Sequence, residues 1–152
     1  MKFKHGTRRR AAEYEKDWVQ RWKDDNTFNK SIAQRPADNS WVFYDGPPFL
    51  TGTPHHGHLL VSTVKDTMGR FHTMKGQRVE RRWGWDCHGL PAEVYVEKTL
   101  GISNKKEIGT KISVSDYVKE CRAAMVRTGT EWEDTIERIG RWVEFKGAYK
   151  TM

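Results

Sequence analysis

Trp41-Val-Phe-Tyr44, followed by Asp45-Gly-Pro-Pro-Phe-Leu-Thr-Gly-Thr-Pro-His55-His56-Gly57-His58, is the stretch that decides how this chain folds. Four apolar residues in a row are too few for a buried helix and suit a central strand over 41–44. The loop 45–54 holds Pro47, Pro48 and Pro54 with Gly46 and Gly52, so neither helix nor strand crosses it. A helix is predicted from His56 to about Met74, stopped by Gly76. His55 and His58, three apart, point the same way from its N-terminus. Free N–H groups and the helix macrodipole favour an anion there. Gly57 leaves the backbone bare, so a flat group can approach. The stretch therefore reads as a site for a phosphate and a base.

Working outward, residues 11–26 form an amphipathic helix, with Ala11, Tyr14, Trp18, Val19 and Trp22 recurring among charges. Trp18 and Trp22, four apart, are expected core anchors. A polar loop containing Pro36 covers 31–40. On the helix over 56–74, Leu59, Leu60, Thr63, Val64, Met68 and Phe71 make one face, and Lys65, Asp66 and Arg70 the other. Residues 78–83 are strand-like, which makes 41–83 a strand–helix–strand crossover suited to a parallel pair. Pro91 opens a helix that ends before Gly101. Ser113 or Ser115 caps a long helix, 115 to about 139, which Gly129 weakens in the middle. This order predicts an α/β fold with parallel strands and flanking helices, its ligands bound beyond the carboxyl ends of the strands. Both 45–58 and 84–91 follow strands and are expected to meet in one crevice.

The 152 residues suffice for one domain with a core. A net charge of +7 suits a polyanionic partner, although charge alone favours the plainer reading of a soluble domain with excess lysine. Cys87 and Cys121 are too few for a disulfide framework and suit a reducing, cytoplasmic setting. No apolar run approaches the roughly 20 residues of a membrane span, so no membrane partner is expected. The basic start lacks the apolar region of a secretory signal. Of the seven tryptophans, Trp83, Trp85, Trp132 and Trp142 lie near the motifs, and packing is the expected role of each.

The first stretch resembles the HIGH signature of class I aminoacyl-tRNA synthetases. A second, Gly84-Trp-Asp-Cys-His-Gly-Leu-Pro-Ala-Glu93, resembles the segment after the second strand in the isoleucyl-tRNA synthetase family. The tail, Gly140-Arg-Trp-Val-Glu-Phe145 and Tyr149-Lys-Thr-Met152, is similar as well, and the similarity runs from about residue 12 to the end. The resemblance implies the first half of a Rossmann-like nucleotide-binding fold that activates isoleucine with ATP for transfer to tRNA. It divides the chain into 1–40, a basic segment and helix, and 41–152, the N-terminal half of the catalytic domain. It also implies roles. His55 and His58 are catalytic, gripping the triphosphate, and Pro48, Thr51 and Gly57 join them in binding ATP. Gly46, Pro47 and Asp86 take the amino acid, with Asp86 holding its ammonium group. Thr51 stands where many members have asparagine, and His56 fills a variable position.

Mg2+ is expected only on the phosphates of ATP. His55, His56, His58, Cys87 and His88 lack paired C-x-x-C spacing, so no structural metal is expected. The family's second, lysine-bearing signature, its editing domain, its second catalytic half and its anticodon domain have no counterpart, and the chain reads as the N-terminal piece of a longer enzyme. By itself it is expected to be weakly active or inactive, with an apolar edge and face left open to dimerisation. The rival reading is a non-catalytic module that binds RNA or a partner protein through its basic surface, including Arg8, Arg9 and Arg10.

Overall fold

A computed structural model describes residues 6, 8–49, 52–127 and 130–151. Helices α1 (Ala11–Asp24) and α2 (Thr27–Ala33) precede the proline loop, and α3 spans His56–Met74. Strand β1 (Arg82–Trp85) leads into α4 (Leu90–Thr99), which begins with Pro91 in its first turn. A short 3-10 turn, α5 (Val114–Arg127), α6 (Thr130–Arg138) and β2 (Glu144–Lys150) complete the order. β1 and β2 pair in parallel. β2 takes five steps from Glu144 to Tyr149 where β1 takes two from Arg82 to Gly84, so β2 bulges outward.

The core gathers on β1. Trp83 and Trp85 alternate to one side of the strand and are 2% and 4% exposed. Trp132 and Ile136, one turn apart on α6, close over them at 1% and 0% exposure. Phe145 of β2 lies 4.6 Å from the Trp83 ring. A second cluster, Val96, Ile102 and Tyr117, joins α4 to α5. Packing is thus the role of Trp83, Trp85 and Trp132, as their apolar bulk requires.

Several local expectations fail for identifiable reasons. Residues 41–44 form no strand. The segment touches the sheet only at its ends, through parallel bridges Ser40 to Arg78 and Phe49 to Asp86. Pro47 and Pro48 supply no N–H for a ladder, and Val42 and Tyr44 point outward at 68% and 93% exposure. The direction is parallel as predicted, but the ladder is not formed. The strand expected over 78–83 lies later, at Arg82–Trp85. The helix expected over 115–139 is two, α5 and α6, and Gly129 lies outside the described residues. The first helix stops at Asp24, and part of the expected 31–40 loop is α2, entered through Asn26 at φ 50°. Trp18 is 47% exposed and anchors no core, whereas Trp22 meets Trp142 edge-on at 5.5 Å.

Helix α3 turns its charges inward. Ser62, Gly69 and Thr73 are buried, while Lys65, Asp66 and Arg70 reach partners across the fold. The Arg70 guanidinium lies 3.8 Å over the Trp142 ring and donates to the Gly140 carbonyl, and Asp66 accepts the Trp142 N–H. Leu60, Val61, Val64, Met68, Phe71 and Met74 consequently face solvent, each at least 41% exposed. Contiguous apolar surface of this kind drives association. Self-association rising with concentration is expected in sedimentation runs. Val64→Glu with Met68→Glu is expected to suppress it while shifting unfolding free energy by no more than about 0.5 kcal/mol. A parent chain that stays monomeric at high concentration would contradict this.

Candidate active site

His55 caps α3 from an extended backbone, and its Nδ1 accepts the Gly57 N–H at 3.1 Å. His58 Nδ1 accepts the His55 N–H at 3.2 Å. Each ring therefore uses its Nδ1 lone pair on backbone, which selects the Nε2–H tautomer. The rings stack at 3.6 Å with planes 24° apart. Two Nε2–H donors on stacked rings at a helix N-terminus suit neighbouring oxygens of one anion. A Cβ on residue 57 would stand 3.0 Å from His55 Cε1, so the bare backbone of Gly57 is what admits the cap's own ring.

His58 also meets the Trp132 ring at 4.8 Å, and Trp132 Nε1–H donates to the Gly52 carbonyl at 2.9 Å. Burial first, then the charges of His55 and Lys65, hold the His58 pKa below its ordinary 6.5. His58 is therefore neutral at pH 7 with Nδ1 free to accept. A depressed histidine pKa means the unfolded chain binds more protons just below 6.5. The stabilisation is then complete above that pH and is lost as acidification passes the folded value. A ring-proton NMR titration is expected to show His58 charging below 6.5, with the His55 amide resonance moving at the same midpoint. A midpoint at or above that pH would count against the arrangement.

The second motif meets the proline loop that precedes the histidine pair. Asp86 N–H donates to the Pro48 carbonyl at 2.8 Å, so the 45–49 loop lies beside the carboxyl end of β1. Pro47 Cβ would be 3.2 Å from a Cβ on Gly84, so glycine in the strand is what lets the proline pack there. Asp86 Oδ1 lies 3.4 Å from the His88 amide and from the Thr151 hydroxyl, long contacts that hold it weakly. Asp86 Oδ2 has no partner among the described residues. Its position at a strand's carboxyl end, flanked by 48–49 and by Thr151 after β2, is where α/β sheets bind ligands. Gly46 is exposed, and Pro47 and Pro48 are half-buried. Thr51 lies outside the described residues. Burial pushes the Cys87 thiol up despite the Thr151 hydrogen bond, which leaves it protonated and a poor nucleophile.

No group of three His, Cys, Asp or Glu gathers as a metal site among the described residues. Sequence reasoning passed over Asp45, Lys65 and Arg141. Asp45 pairs with Lys65 and, at 2.5 Å, with Arg141. No local pattern marks Arg141, because its partners lie 79 and 96 residues away along the chain.

Residues 17–152 match the family model described as class I tRNA synthetases (I, L, M and V). The chain is 48% identical over 141 residues to an isoleucine–tRNA ligase of Rickettsia felis, covering 93% of this chain and 13% of that protein. The same identity and coverage hold for an isoleucine–tRNA ligase of Treponema denticola. An isoleucine–tRNA ligase 2 of Pseudomonas fluorescens is 48% identical over 134 residues, 88% of this chain and 13% of that one. The chain thus spans about 13% of the length of the curated relatives it matches. In fold it is similar to the LeuRS of Agrobacterium radiobacter K84, solved as a ternary complex with tRNA and LeuAMS. The TM-score is 0.58 at 19% identity, over 90% of this chain and 15% of that one.

Proposed function

The chain belongs to the class I tRNA synthetases of the I, L, M and V group, and on that premise we propose that it carries the first half of an isoleucine-activating site. In the reaction, a carboxylate oxygen of isoleucine attacks the α-phosphorus of ATP, the bond to the β-phosphate oxygen breaks, and pyrophosphate leaves with isoleucyl-adenylate formed. Transfer of the aminoacyl group to tRNA follows in the whole enzyme. Catalysis here is positioning and charge stabilisation. The His55 and His58 Nε2–H groups donate to phosphate oxygens as charge moves onto the leaving group. Asp86 accepts the ammonium group of the amino acid. Gly46 and Pro47 offer an apolar floor to an aliphatic side chain, and Pro48 and Gly57 border the adenylate. Mg2+, carried on the phosphates, supplies further charge neutralisation.

The observation that carries this reading is the stacked histidine pair, with both Nδ1 atoms spent on backbone and both Nε2–H groups left to donate. The 48% identity to isoleucine–tRNA ligases supports the choice of amino acid. For the chain alone we expect weak nucleotide binding and slow or no adenylate formation, since one phosphate-binding element and an uncovered α3 leave the site exposed to water.

Titration of the labelled chain with a non-hydrolysable isoleucyl-adenylate analogue tests it. Amide shifts are expected at 46, 49, 55–58 and 86, larger and at lower ligand concentration than with the leucyl analogue. Shifts confined to other residues, or equal responses to both analogues, would overturn the reading.

A further inference from the structure

We infer that Asp45, Lys65 and Arg141 form a positioning triad that holds the 45–49 loop in register with the histidine-bearing helix. The inference rests on the function proposed above and adds residues to it. Asp45 directly precedes Gly46 and Pro47. One of its carboxylate oxygens meets the Lys65 ammonium of α3, and the other meets Arg141 Nη2 at 2.5 Å. Lys65 Nζ also donates to the Gly46 carbonyl at 2.9 Å, and Arg141 Nη1 donates to Ser62 Oγ at 3.1 Å. The Arg141 guanidinium lies 5.1 Å over the Trp83 ring, which ties the junction to the core under β1. Loop, helix and core strand therefore meet through one carboxylate.

These side chains are only 13%, 18% and 6% exposed, for Asp45, Lys65 and Arg141 in turn. Buried ion pairs add little net stability, because desolvation offsets much of their attraction. A packed apolar group would hold the fold as well, yet it could not grip the Gly46 carbonyl. What the charges supply is direction: Lys65 reaches the loop from α3 and Arg141 bonds both loop and helix, so the loop cannot slide along α3 without breaking bonds to both. Ser62 and Lys65 are three apart on one face of α3, one to two turns below His58. The same face thus fixes the loop that borders the amino acid and the turn that presents the imidazoles. The Lys65 charge is also felt at His58, whose pKa it helps to lower.

The test compares Lys65→Met, which keeps length and removes charge, with Lys65→Arg. Amide hydrogen exchange at Gly46 and Phe49, read without ligand, is expected to quicken about tenfold in Lys65→Met and to stay near the parent rate in Lys65→Arg. Affinity for the isoleucyl-adenylate analogue is expected to fall about tenfold in the first and to be rescued in the second. Unchanged exchange in a folded Lys65→Met overturns the triad. If Lys65→Met does not fold, Ser62→Ala, which removes one hydroxyl, is read at the same two amides: faster exchange supports the triad and unchanged exchange overturns it. A parent chain that binds no analogue defeats the proposed function instead, and the exchange rates still decide the triad.

Discussion

Replacing Trp132 by alanine is expected to cost about 3–5 kcal/mol of unfolding free energy. The side chain is 1% exposed and lies 5.9 Å, ring to ring, from both Trp83 and Trp85. Truncation would leave a cavity that the rigid rings of Trp83 and Trp85 cannot fill. A domain of this size holds only about 5–15 kcal/mol in all, so the loss would remove a large share of its stability. The same ring backs His58, and its indole N–H bonds the Gly52 carbonyl. Trp132→Phe separates the two duties, keeping most of the apolar body while giving up the hydrogen bond, a loss of about 1 kcal/mol plus a small void. Urea titrations of the two variants measure the contrast. A loss below about 1 kcal/mol for the alanine variant would mean that the core is not organised around this residue.

Joint replacement of His55 and His58 by alanine is expected to lower isoleucine-dependent ATP–pyrophosphate exchange about 100- to 1000-fold from whatever rate the parent chain supports. Removing a single preorganised donor to a developing charge has effects of that order. Folding should suffer far less. The pair is exposed or half-buried, and its backbone bonds act as a helix cap, worth about 1 kcal/mol. Activity and stability therefore separate, which distinguishes phosphate contact from a purely structural cap. The single variants add detail. Without the His58 ring, His55 keeps its bond to Gly57 but loses its stacking partner, so a partial loss is expected. An exchange signal indifferent to the double replacement would remove both histidines from the reaction.

The parts of the fold that were legible in sequence are those decided by local chemistry. The helix predicted from His56 to about Met74 is α3 to the residue at its start, because a histidine cap, a proline before it and a glycine after it are local signals. The contact of the proline loop with Asp86 was legible too, since both follow chain segments that run in parallel. Less legible was the strand over 41–44. Its composition suits a buried strand, but a ladder needs N–H groups and neighbours, and Pro47 and Pro48 with an open outer edge provide neither. The pairing of β1 with β2 was invisible for another reason: Glu144, Lys146 and Lys150 break the apolar run expected of a parallel strand.

Which side of α3 faces inward shows the division most plainly. Periodicity alone separated Leu60, Val64, Met68 and Phe71 from Lys65, Asp66 and Arg70, and that separation holds. The apolar side would ordinarily be buried, yet the body lies against the charged side. The reason is distant in sequence: Asp45, Gly140, Arg141 and Trp142 supply the carboxylate, carbonyl, guanidinium and ring that receive those charges or brace their partners. Local signals thus determined α3, α4 and the histidine pair, while the resemblance of the motifs pointed to the family. Only the folded chain decided orientation and anchoring, because those depend on contacts between residues tens of positions apart.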